Sequence, residues 1–156
     1  MTNLSFFTAD EVALSKQFEK TGHVMLPAEN PIGLEKIREY IADLAATYLG
    51  VSRPDDVSNF LNGMHEQVSV EHLNEFRLFI IEGINGEAWF RPIYFSLIRD
   101  ALSSLVGNEL AMQRRINLSI QLPKDNSSLL PIHADVWSGD SPFEVVVWLP
   151  LVDCFN

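Results

Sequence analysis

Cysteine is nearly absent from this chain. Cys154 is the single one in 156 residues, so no internal disulfide can form. Its apolar flank predicts a buried, inert thiol rather than a nucleophile. Basic residues are scarce as well: eleven Lys and Arg stand against twenty-one Asp and Glu, a formal net charge of −10. So acidic a surface repels nucleic-acid phosphates and anionic bilayers. The one tight basic pair, Arg114-Arg115, is too little to track a phosphate backbone. Neither nucleic acid nor membrane is therefore expected as a partner. No run approaches the ~18 apolar residues of a spanning helix. The N-terminus "MTNLSFFTADEVALSK" lacks the basic stretch and long apolar core of a signal peptide, so a cytoplasmic address is expected. Repeats, low-complexity tracts and flexible linkers are missing too. One domain over residues 1–156 is the default for this length, and 47% hydrophobic content can supply its core.

What is present divides by periodicity. Thr8 precedes Glu11 by three residues, the spacing of a capping box, and Gly22 ends the helix that follows. "HVMLP" reads as a short strand over His23–Leu26, closed by Pro27. Asn30-Pro31 starts a second helix, in which Leu34, Ile37, Ile41, Leu44 and Tyr48 recur at three- and four-residue steps up to Gly50. "DDVSNFLNGMH" suggests a short helix. "SVEHLNEFRLFIIEG" predicts a longer one, capped by Ser69, that buries Val70, Leu73, Phe76, Ile80 and Ile81. Asn85-Gly86 marks a turn, and "IYFSLIRDALSSLVG" predicts one further helix ending at Gly107.

After Gly107 the period changes from 3.6 to 2. Ile116, Leu118, Ile120 and Leu122 alternate with Asn117, Ser119 and Gln121, the pattern of a strand with one apolar and one polar face. "LLPIHADVW" predicts a short extended piece, "SGDSP" a turn, and "FEVVVWLPLV" a β-branched strand. Helices over residues 1–107 and strands over 108–156 make an α+β order.

His133 and Asp135 stand two apart in the extended piece. On a strand such residues face one side, so an imidazole nitrogen and a carboxylate oxygen are aimed at one point. A divalent metal takes two of the three ligands of a 2-His-1-carboxylate triad in this way, and the open positions suit non-heme Fe(II). Taken alone, the pair is better explained by a surface loop in which His133 bonds a backbone carbonyl, since unsupported motif matches mostly fail.

The stretch "HADVWSGDSPFEVVVWLPLVD", together with "FEKTGHVMLP" near the N-terminus, resembles the Fe(II)/2-oxoglutarate-dependent oxygenases, in particular their phytanoyl-CoA dioxygenase-like branch. The form looks closest to members found among bacterial surface-carbohydrate genes. The resemblance implies N-terminal helices packed on a double-stranded β-helix, or jelly roll, of eight core strands. It implies Fe(II) held by His133, Asp135 and a distal His, and an Arg beyond that His for 2-oxoglutarate. It implies hydroxylation of a small-molecule or carbohydrate-related substrate. It places Trp148 near the cosubstrate, where core packing is the alternative. Gln121 and Asn117 on the polar strand face become candidate cofactor-binding residues, and Arg115 enters the same pocket or meets solvent. Trp137, beside the turn, becomes a candidate to stack on a sugar ring.

The sequence departs from this pattern after Asp135, where it holds no His, Lys or Arg. His23, His65 and His72 all precede the pair and fit surface or packing roles better than ligation. Four or five strands are visible against the eight of a jelly roll. The expectation is an oxygenase-like domain that is C-terminally incomplete and inactive as it stands. Two alternatives are an interaction module that forms homo-oligomers through an open β edge, and a cupin-like sugar-binding protein or isomerase.

Overall fold

The computed structural model describes residues 6–122, 124, 126 and 131–154. Among these residues there are seven α-helices, one 3-10 turn and no strand. The helices are α1 (Ala9–Thr21), α2 (Pro31–Leu49), α3 (Val57–Asn62), α4 (Met64–Gln67), α5 (Leu73–Gly86), α6 (Phe90–Ser96) and α7 (Arg99–Val106). The packing divides the chain into two compact units. One holds Met1–Glu39 and Ile84–Ile116, the other Tyr40–Gly83 and Asn117–Asn156.

In the first unit, α1 begins as its capping box dictates. The Thr8 hydroxyl accepts from the Glu11 amide, and the Glu11 carboxylate accepts from the Thr8 amide at 2.7 Å. Gly22 closes the helix in the left-handed region, with φ of 72°. Asn30 starts α2 by accepting from the Gly33 amide at 2.9 Å. The stretch read as one helix from Ile93 to Gly107 is two. Its break lies at Ile98, with φ −148° and ψ 13°. The cause is Glu29, a residue far away in sequence: its two carboxylate oxygens accept from the Asp100 and Ala101 amides, each at 2.9 Å. The Glu29 amide also donates to the Leu97 carbonyl at 2.9 Å. A carboxylate at a helix start satisfies orphan donors and complements the helix dipole, so α7 begins afresh there and packs on α1.

In the second unit, Ile41, Ala42, Ala45 and Ala46 of α2 and Leu73, Phe76, Ile80 and Ile81 of α5 are buried. Tyr48 packs edge-on to Phe76 with ring centroids 5.2 Å apart. Gly83 lets α5 come close to α2, since a Cβ there would stand 2.6 Å from Leu44 Cδ1. Helix α5 starts at Leu73, four residues later than Ser69. Val70 lies in a turn and is half exposed.

The expected α+β architecture is overturned. The described residues contain no jelly roll, complete or incomplete, because none of them belongs to a sheet. His23–Leu26 is irregular. Between residues 117 and 122 the predicted alternation survives in burial: Leu118, Ile120 and Leu122 are covered or half covered, while Asn117, Ser119 and Gln121 are exposed. From 145 to 149 it survives again, with Val145, Val147 and Leu149 half covered and Val146 and Trp148 exposed. Side-chain alternation is a local property of extended backbone. A strand requires a ladder to a second strand, and neither segment has one among the described residues. No helix among the described residues is long and apolar enough to cross a membrane.

Candidate functional site

His133 and Asp135 do not lie on a strand, yet they converge. Ala134 between them is extended, with φ −125° and ψ 133°, so the side chains flanking it leave the backbone on one side. His133 Nε2 and Asp135 Oδ1 are 3.4 Å apart. Asp135 opens the 3-10 turn Asp135–Ser138, in which the Trp137 amide donates to the Ala134 carbonyl at 2.9 Å. The side chains are 44% and 52% exposed, which leaves the pair open to solvent ligands.

The imidazole is fixed at its other nitrogen. His133 Nδ1 lies 2.7 Å from the Pro131 carbonyl oxygen. A carbonyl only accepts, so Nδ1 carries the hydrogen of that bond. In the neutral ring Nε2 then holds the lone pair, as it does in histidines that ligate metals. Protonated, the ring forms an ion pair with Asp135; neutral, it leaves a nitrogen and an oxygen donor side by side. Two ligand atoms each about 2.1 Å from one ion stand roughly this far apart. One nitrogen and one oxygen are two of the three ligands that a 2-His-1-carboxylate site needs.

No third His, Cys, Asp or Glu joins them in a metal-binding group among the described residues. Each remaining histidine is engaged locally. His23 Nδ1 is 3.1 Å from the Thr21 carbonyl, His65 Nδ1 is 3.1 Å from the Asn62 carbonyl, and His72 Nδ1 is 3.6 Å from Glu75 Oε2.

Asn117, Gln121, Trp137 and Trp148 are all exposed, and among the described residues no hydrogen bond or ring contact joins their side chains to the pair. Arg115 is exposed too. Trp148, at 78% exposure, is not a core residue, although it does share a side with Glu144 and Val146 as strand alternation predicts. Cys154 is exposed rather than buried.

Two features around the pair leave little trace in residue types. The Pro131 carbonyl is a backbone group, invisible to residue-type patterns. Gly139 follows the turn in the left-handed region, with φ of 100°; its place behind "DVWS" was the available signal. Asn85 pins the start of the alternating segment 117–122: its amide donates to the Ile116 carbonyl and accepts from the Ile116 amide, both at 2.8 Å. Comparison with family models, curated proteins and solved structures returned no match. The likeness to the oxygenases rests on the quoted residues alone.

Proposed function

We propose that this chain carries the His-x-Asp half of the metal site of an Fe(II)/2-oxoglutarate-dependent oxygenase that hydroxylates a small-molecule or carbohydrate-related substrate. The observation that supports the reading is the 3.4 Å approach of His133 Nε2 to Asp135 Oδ1, with Nδ1 occupied by the Pro131 carbonyl. His133 would give the metal a neutral nitrogen ligand and Asp135 an anionic oxygen ligand. Bound Fe(II) and 2-oxoglutarate would supply the oxygen activation that no side chain can perform. The exposed polar residues Asn117 and Gln121 remain candidates to meet the cosubstrate, and Trp137 and Trp148 to meet the flat face of a substrate. With two protein ligands where three are needed, metal binding is weak and turnover is not expected from this chain alone. The reading leans on the local geometry of the pair and on no jelly roll.

The test is Mn(II) binding, with Mn(II) standing in for Fe(II), followed by electron paramagnetic resonance. The wild-type chain is expected to bind with a millimolar dissociation constant, and His133→Ala and Asp135→Ala are each expected to weaken binding at least tenfold. Equal affinity in all three proteins would remove the reading.

A second reading, homo-oligomerisation through the C-terminal segment, is favoured by Val146 and Trp148, whose side chains are 67% and 78% exposed on one side of it. Neighbouring exposed apolar side chains mark interaction surfaces. Sedimentation at tens of micromolar (a range set by ordinary affinities) should show association that Trp148→Lys weakens; a monomer throughout would exclude it.

A further inference from the structure

Residues 93–107 have the pattern of one helix, and the backbone comes within one residue of forming it. Leu97 is still right-handed helical, with φ −73° and ψ −18°, and Arg99 already begins α7. The Leu102 amide donates to the Ile98 carbonyl at 3.0 Å, the spacing of an α-helix that runs on through the junction. Ile98 alone leaves the helical region.

A continuous helix would cross this junction by bonds that include the Asp100 amide to the Ser96 carbonyl and the Ala101 amide to the Leu97 carbonyl. Glu29 holds three of those four groups. Its carboxylate takes both amides, and its own amide takes the Leu97 carbonyl. Asn30 beside it donates to the Ser96 hydroxyl at 2.9 Å. The connection between α1 and α2 therefore competes, group by group, with the bonds that would join α6 to α7. A carboxylate is a stronger acceptor for an amide than a neutral carbonyl is, so the broken form prevails while Glu29 is in place. The consequence reaches α1. No residue of α1 is buried, Val12, Leu14 and Phe18 are half covered, and α7 is the helix on which α1 packs.

We propose that Glu29 is a latch on a two-state helix. Engaged, it holds α6 and α7 apart at Ile98 and gives α1 its seat on α7. Withdrawn, it lets Phe90–Val106 join into one helix; α7 then turns onto the axis of α6 and α1 is released. The connection carrying Glu29 and Asn30 is the control element, because displacing it straightens the junction and frees α1 together.

The experiment compares the wild-type chain with Glu29→Ala and Glu29→Gln by carbon chemical shifts, amide hydrogen exchange and circular dichroism. In Glu29→Ala the Ile98 Cα shift is expected to move to a helical value. The Asp100 and Ala101 amides should stay protected, now by the Ser96 and Leu97 carbonyls, and the helical signal should not fall. The α1 amides should exchange about tenfold faster, as a locally released element does. Loss of a cap without a latch gives the opposite at the junction: Ile98 keeps its shift, the Asp100 and Ala101 amides exchange faster, and helicity falls. Glu29→Gln keeps one acceptor oxygen and should give an Ile98 shift between the other two; where only Glu29→Ala unfolds, this variant decides. The proposal is overturned by the lost-cap pattern, by an Ile98 shift that is the same in all three proteins, or by a helical Ile98 with α1 exchange unchanged. Unfolding of both variants overturns it too, since an opened latch leaves both helices standing.

Discussion

The helical stretch from Ala9 to Val106 and the alternating segments 117–122 and 145–149 are both regularly patterned, and they fared differently. In the first, apolar residues recur at the helical period, and the backbone finds its hydrogen bonds four residues away in the same segment. Ile37, Phe76, Ile80 and Ile84 are buried. In the second, the period of two is kept in side-chain exposure, but the backbone partners such a pattern needs must come from another strand. Val146 and Trp148 consequently stand open, at 67% and 78% exposure. A helical segment carries its own hydrogen-bond partners, whereas a period of two is only half the evidence for a sheet.

The largest expected effect breaks or confirms that contrast within the second unit. Phe76, 2% exposed and edge-on to Tyr48, should cost about 3–5 kcal/mol when replaced by alanine. Trp148→Ala should stay within about 0.5 kcal/mol, as surface substitutions do. Urea unfolding followed by helical circular dichroism measures both, and comparable losses would show that segment 145–149 is packed after all.

A smaller effect sharpens the comparison where segment 117–122 begins. Asn85→Ala removes a donor and an acceptor from Ile116 at once. A loss of about 1–3 kcal/mol is expected, with faster hydrogen exchange at the Ile116 amide. Unchanged exchange there would mean that the segment is held by something other than Asn85.

The smallest effect is a pH dependence at α1. The Glu11 carboxyl is held below its usual range first by the Thr8 amide and then by the Thr8 hydroxyl. A depressed folded-state value means that the cap is at full strength above the ordinary carboxylate range. The cap is lost as pH falls through the lowered value. Chemical shifts of the first turn of α1 should report this on acidification, and Thr8→Ala, which keeps the amide and removes the hydroxyl, should make the shift smaller. A titration of Glu11 at its ordinary value in the wild type would mean that the capping box does not hold in solution.

Much of the helical half was legible in residues. The Thr8/Glu11 box, Gly22, and the Asn30-Pro31 start fixed the ends of α1 and the beginning of α2 to within a residue. The break at Ile98 was not legible, because it depends on Glu29, a residue some seventy positions away. At the candidate site the convergence of His133 and Asp135 was legible for the right local reason in the wrong element. One extended residue, Ala134, suffices to point both side chains one way, with no strand around it.

By itself, the sequence determined the acidic surface, the helices with their local caps, the alternating faces of the later segments and the direction of the His-x-Asp pair. Each follows from bonds and sterics within a few residues. Only the tertiary structure decided that the alternating segments form no sheet among the described residues, that Glu29 divides α6 from α7, that Cys154 and Trp148 face solvent, and that the Pro131 carbonyl takes His133 Nδ1. Ladders, burial and long-range caps need a partner elsewhere in the chain, and neither composition nor period says where that partner will be.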